Sequence, residues 1–274
     1  MQPDSRDVQR TVTADGDYGV FEGAVEDRVV MDEYCKKGTW APELVSLIVE
    51  RLLAGGSGTL IDVGANIGLV CVPVVERTGA IAIALEPEPR NFGLLSRNVA
   101  RHALSDRIEC QELACYSESG QLPLALSPDN LGDHRLQREH GPNTRHVVQV
   151  NTCRLDDILR DRALPRPIVL KVDAQGSEVG VFQGAPETLA RCDFVVTEYW
   201  PAGIVEHGHR AHTLAKIMQG FEYGAVLHVL PLPEPLNTSS YVFQQLAFIA
   251  DDGSDPGFFD LLFSRHLVLP KFQR

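Results

Sequence analysis

No stretch constrains this chain more than TLIDVGANIGLV, residues 59–70. A β-branched and apolar run leads into Asp62, a turn carrying Gly64 and Gly68 follows, and helix-like sequence comes next. This is how a parallel strand ends at a nucleotide site. The alternation then continues. Strands are expected at 59–64, 80–86, 107–114, 167–174 and 193–200, with helices near 67–78, 90–102, 154–162, 177–190 and 210–220. Continuous apolar strands separated by amphipathic helices predict an α/β fold built on a doubly wound, mostly parallel sheet.

The flanks read differently. Residues 1 to about 20 are polar and aperiodic, as in a loose arm or an added edge element. APELVSLIVERLLAGG then puts Leu44, Leu47, Ile48 and Leu52 on one helical face, and Gly55-Gly56 stop it. Towards the other end EYGAVLHVL and VFQQLAFIA, joined by the Pro-rich PLPEPLNTSS, predict an antiparallel pair closing one edge. The polar stretch 121–150, with SPDNLGDHRLQREHGPNTR at its centre, interrupts the alternation as segments carrying function or disorder do beside a crevice. With no repeat and no linker, 36–274 reads as a single domain bearing that insertion on its substrate side, and 1–35 as the added arm.

Composition narrows the partners. At 274 residues and 44% hydrophobic content the chain can bury a sizeable core. A net charge of −12, with no Lys/Arg run to reverse it locally, repels phosphate backbones, so no nucleic-acid partner is expected. The opening MQPDSRDVQRTVTADGDYG has no apolar leader core, and no apolar run reaches the ~18 residues of a membrane helix. A soluble, cytoplasmic protein without a membrane partner is expected. Cys35, Cys71, Cys110, Cys115, Cys153 and Cys192 show no C-x-x-C spacing and read as reduced core residues. NTS at 237–239 reads as a turn.

Three readings compete for the turn. A dinucleotide site would show G-x-G-x-x-G, but Gly64-Ala65-Asn66-Ile67-Gly68 puts Asn66 where a second glycine would let a pyrophosphate approach. Glu86, roughly 20 residues on, ends the next strand, where a carboxylate can bond both hydroxyls of an adenosine ribose; this suits NAD and S-adenosylmethionine equally. Asp62 separates them, because a carboxylate there repels a pyrophosphate but can hold the cationic amino-acid end of S-adenosylmethionine, directly or through water. A tight turn without a ligand is the bland alternative. The G-x-x-x-x-G-K-[ST] pattern is absent, and no tyrosine has a lysine four residues later.

The motifs LIDVGANIG, ALEPEPRNFGLLSRNV, NLGDHRL, RLDDIL, VLKVDAQGSEVGVFQGA and TEYWP occur in this order. Together they make the chain similar to the FkbM family of S-adenosylmethionine-dependent methyltransferases over roughly residues 38 to 265, with KVDAQGSEVGVFQGA the most specific part. The resemblance implies a class I methyltransferase (Rossmann-like) fold of seven strands with a reversed last one. It also implies S-adenosylmethionine as cofactor, S-adenosylhomocysteine as product, and methylation of a hydroxyl on a saccharide or specialised metabolite.

On that basis Asp62, Gly64, Asn66 and Gly68 are candidates to cradle the methionine part of the cofactor, Glu86 to take the ribose diol, and Leu113 and Ala114 to form the adenine wall. Asp173 and Glu198 end the fourth and fifth strands and face the same crevice. Each is a candidate base for an alcohol that is too weak an acid to ionise unaided; Asp173 has the cofactor ammonium as its alternative, Glu198 a structural ion pair. On the insertion, His134 is a third candidate base and Arg135 an anion clamp, the pair forming a lid over the substrate, against a solvated loop. Trp200 and His207 border the acceptor side. EHGHRAH, with His207, His209 and His212, looks like a metal cluster, yet its spacing matches no hydrolase signature and no metal is expected. Trp40 either covers the cofactor or packs at a helix entry. Methylation of an amine or carboxylate, and a non-catalytic module binding the adenosyl cofactor, are the rival functions.

Overall fold

The computed structural model describes residues 10–137, 146–227, 236–250 and 257–266. The described chain starts with an antiparallel hairpin, β1 (Thr11–Gly16) and β2 (Gly19–Ala24), followed by α1 (Val30–Lys37) and α2 (Pro42–Leu53). The hairpin and α1 were not legible as such in a stretch that reads as aperiodic. In β1, exposed Thr11, Thr13 and Asp15 alternate with half-buried residues, of which Val12 and Ala14 pack on the core, the period of a strand with one covered face. Asp27 caps α1, its carboxylate accepting from Val29 N, Val30 N and Met31 N.

The alternating part follows as β3 (Thr59–Val63), α3 (Cys71–Thr78), β4 (Ile81–Leu85), α4 (Pro89–Arg101) and β5 (Ile108–Gln111). A second small sheet comes next: β6 (Ala114–Cys115), β7 (Gly120–Ala125), β8 (Arg135–Leu136) and β9 (Val147–Cys153), in the order β6-β9-β7-β8. The polar insertion is therefore largely β-structure; its residues 138–145 lie outside the described ones. The chain then returns to the main sheet through α5 (Leu155–Leu159), β10 (Ile168–Val172), α6 (Glu178–Gln183), α7 (Pro186–Arg191), β11 (Phe194–Tyr199), α8 (Pro201–Glu206) and α9 (Thr213–Ile217). It closes with β12 (Tyr223–Val226), β13 (Asn237–Thr238), α10 (Ser239–Ala250) and β14 (Phe259–Ser264).

The main sheet has the order β13-β12-β14-β11-β10-β3-β4-β5. β5, β4, β3, β10 and β11 pair in parallel, whereas β14 runs antiparallel between β11 and β12. Eight strands stand where seven were expected, because β13 adds two residues at the edge. Side chains alternate across β3 and β10: Leu60 and Val169 enter the core shared with α2 to α4, and Ile61, Leu170 and Val172 the opposite one.

Three expectations are corrected. VFQQLAFIA is helix, not strand: Ser239, Val242 and Leu246 are buried while Ser240, Tyr241 and Gln244 are exposed, the helical period. The strand read at EYGAVLHVL is β12, its residues 228–230 lying outside the description, and the antiparallel partner is β14. The helix expected at 177–190 breaks into α6 and α7, because Gly184 lets the chain press on Tyr116 (an added Cβ would lie 2.0 Å from its carbonyl oxygen) and Pro186 restarts the turn. All six cysteines are free, but only Cys71, Cys115 and Cys192 are core; Cys35 is exposed and Cys110 and Cys153 are half-buried. Among the described residues no helix is long and apolar enough to cross a membrane.

Candidate active site

The carboxyl ends of β3, β4, β10 and β11 open on a crevice of about 830 Å³, within the range of ligand sites. Asn66 (φ 51°) and Gly64 (φ 77°) both take left-handed backbone, and Gly64 is obligatory, since a Cβ there would lie 1.9 Å from the Asp173 carbonyl oxygen. Gly64 N and Ala65 N both donate to Leu85 O, locking the turn over the end of β4.

Glu86 is buried there and faces the crevice. Its Oε2 accepts from Asn66 N and its Oε1 from Glu88 N, each at 2.9 Å. Burial pushes its carboxyl up to about 7, against those two amides, which favour the ionised form. Each oxygen keeps a lone pair, so the pair of acceptors suits a vicinal diol. Leu113 and Ala114 line the neighbouring wall, and Leu113 N donates to Glu86 O.

Asp62 is placed differently from expectation. It is fully buried, absent from the crevice lining, and faces Lys171 Nζ at 3.1 Å. Lys171 is thus the charged partner of its carboxylate. Lys171 was missed from the sequence. It sits opposite Asp62 in the β3–β10 register, donates to Gly64 O at 2.8 Å and lies 3.8 Å from Asp173. Burial disfavours its charge, yet Asp62 and Asp173 outweigh that and hold the ammonium form. The signal was one lysine inside the otherwise apolar PIVLKVDA.

Asn66 and Gly68 also differ. Asn66 lines the crevice, but its Nδ2 donates to Leu131 O, which Asn91 Nδ2 also reaches, at 3.0 and 2.8 Å. Gly68 packs on Leu95 and Val72, away from the crevice. The segment 129–136 is thus tied down rather than loose: Arg28 N donates to Asp129 O and Leu136 O meets His207 Nε2. His207 is buried behind it, also bonded to Ser177 Oγ and Gly203 O, and does not line the crevice. Among the described residues no group of His, Cys, Asp or Glu is arranged to hold a metal.

Asp173, Glu198, His134, Arg135, Trp200 and Trp40 all line the crevice. His134 Nδ1 accepts from Ser127 N at 3.0 Å, so the neutral ring carries its proton on Nε2. Arg135 is no open anion clamp: its guanidinium lies over Trp200 (4.3 Å to the ring centre), with Asp133 at 2.6 Å and Glu206 at 3.8 Å. Asp173 is half-exposed and accepts from Gln175. Burial, and then Asp173, Glu178 and Asp260, drive the Glu198 carboxyl far above the usual range, which favours its protonated form.

A mostly parallel sheet in which β14 runs antiparallel between β11 and β12, and a glycine turn facing a buried carboxylate at the next strand end, define a class I methyltransferase fold. The family model described as the Methyltransferase FkbM domain matches residues 62–241, and the chain belongs to that family. It is similar to the methyltransferase sdnD of Sordaria araneosa, 32% identical over 177 residues that cover 53% of this chain and 68% of that protein. The hexuronic acid methyltransferase AglP of Haloferax volcanii is 28% identical, over 57% of this chain and 61% of its own length. The 2-O-methyltransferase NoeI of Sinorhizobium fredii is 25% identical, over 64% and 76%.

Proposed function

We propose that the protein is an S-adenosylmethionine-dependent O-methyltransferase acting on a hydroxyl of a saccharide or specialised metabolite. Glu86 carries the cofactor assignment: a buried carboxylate whose two oxygens are each held by one amide and face the crevice beside the Gly64 turn. Glu86 would hold the ribose, Leu113 and Ala114 the adenine, and the backbone of 64–66 the methionine end, with Asp62 acting from behind. When bound, S-adenosylmethionine supplies an electrophilic methyl group. The names of AglP and NoeI, a hexuronic acid and a 2-O-methyltransferase, support a hydroxylated acceptor.

The chain's own work is positioning and proton removal. Holding the acceptor oxygen in line supplies much of the rate, and a base takes the hydroxyl proton as the bond forms. Of the three candidates Asp173 fits best. His134 has its Nδ1 engaged by Ser127 N, and burial with the neighbouring carboxylates favours the protonated form of Glu198. Trp200, stiffened by Arg135, offers a flat wall for a sugar ring. The test is transfer of isotope-labelled methyl from S-adenosylmethionine to a panel of hydroxylated acceptors, with the product bond assigned by NMR. A methyl ether supports the reading; an N-methyl product or a methyl ester overturns the hydroxyl assignment.

A further inference from the structure

Among the described residues four other than glycine take left-handed backbone, and three of them, Ala41, Asn66 and Gln175, line the crevice. Such backbone costs energy and persists only where its surroundings over-determine it. At Gln175 (φ 51°) they do. Glu178 Oε1 accepts from Ala174 N at 2.9 Å and from Gly176 N at 3.2 Å, and Ser177 Oγ meets His207 Nε2 at 3.0 Å. Gly176 presses on Gly203, where an added Cβ would lie 3.0 Å from the backbone. The loop after β10 is therefore braced on both sides of Gln175. What the bracing delivers is one side-chain contact: Gln175 Nε2 donates to Asp173 Oδ1 at 2.7 Å.

The other oxygen of Asp173 shows why that contact matters. Oδ2 lies 3.8 Å from Lys171 Nζ, beyond hydrogen-bond reach, although the opposite charges attract. Lys171 itself is bonded to Gly64 O at 2.8 Å and faces Asp62 at 3.1 Å, so it is fixed in place. A small rotation of Asp173 would close the gap. The carboxylate would then accept a charge-assisted bond that favours its ionised form, and it would take up a proton less readily. Resting on the methyltransferase reading with Asp173 as its base, we propose that Gln175 is the positioning residue of that base: it grips Oδ1, holds Asp173 off Lys171 and leaves Oδ2 to the acceptor hydroxyl. The left-handed backbone is what turns a side chain two residues on back to the end of β10.

The test compares two variants by crystallography, urea unfolding and kinetics with the acceptor that the labelled-methyl panel identifies. Gln175→Met keeps the length of the side chain and drops the donor; Gln175→Gly also releases the backbone. In crystals of Gln175→Met, Asp173 Oδ2 is expected within about 3 Å of Lys171 Nζ. Its kcat should fall about tenfold or more, with the acceptor KM changed by less than about threefold. Gln175→Gly should lose kcat likewise yet unfold at no lower urea concentration than the parent, because glycine takes this backbone without strain. A residue that only shapes the loop would lose rate and stability together. An Asp173 that stays 3.8 Å from Lys171 in Gln175→Met, a kcat within about twofold of the parent in either variant, or a parallel loss of stability and rate in Gln175→Gly overturns the proposal. If the parent neither binds S-adenosylhomocysteine nor methylates any hydroxyl of the panel, the methyltransferase reading falls instead; if the parent is active and the variants match it, only the role of Gln175 falls.

Discussion

At the end of β4, Glu86 commits both carboxylate oxygens to backbone amides, whereas three strands away Glu198, equally buried, bonds nothing among the described residues. The first carboxylate is pre-organised by the chain, each oxygen held by one amide. The second is pushed towards its neutral form by burial and by the carboxylates around it. One half of the crevice is therefore a rigid receptor set by a short local motif, and the other is an electrostatic field set by three strands that are distant in sequence. A family can keep the first half while changing its acceptor through the second.

The largest expected effect separates the two halves by chemistry. Asp173→Asn should lower kcat by about 10²- to 10⁴-fold while leaving S-adenosylhomocysteine affinity nearly unchanged; a parallel loss of both would place Asp173 on the cofactor side. Next comes the charge pair joining the halves. Lys171→Met strands buried Asp62 and should cost about 3–5 kcal/mol in urea unfolding, and adding Asp62→Asn should restore most of it. No restoration would mean that the bond to Gly64 O, not the charge, is what matters.

The smallest effect is a slope. Glu198 titrates near its ordinary 4.5 when unfolded and well above that when folded, so the folded state retains the proton. The stability this contributes is complete below about 4.5 and is lost as pH rises towards the folded value, so the melting temperature of the unliganded protein should fall from pH 5 to pH 8. Glu86 adds the same sign up to about 7. Glu198→Gln should flatten the fall, leaving the Glu86 part; an unchanged slope would show that Glu198 is ionised in the folded protein.

What was legible follows the same division. The parallel strands and the turn could be read because they are local: a buried strand is continuously apolar, and Gly64 and Glu86 sit where the chain itself puts strand ends. Lys171 was hidden because its reason is Asp62, more than a hundred residues away and opposite it in register. His207 looked like a site residue by its company in EHGHRAH, but the fold turns it inward to hold Leu136. VFQQLAFIA fits both periods over its few residues, and only the buried set Val242 and Leu246 decides for helix. Asp260 was not visible as a crevice residue, since it enters through β14, an antiparallel strand that the sequence alone did not reveal.

The most direct measurement is calorimetric titration of the protein and of Glu86→Ala with S-adenosylhomocysteine. The account predicts one site per chain for the protein and a loss of roughly 100-fold or more for the variant, since two hydrogen bonds to a buried carboxylate are removed. Binding that is absent from the protein, or unchanged in Glu86→Ala, would contradict the assignment of this crevice to the adenosyl cofactor.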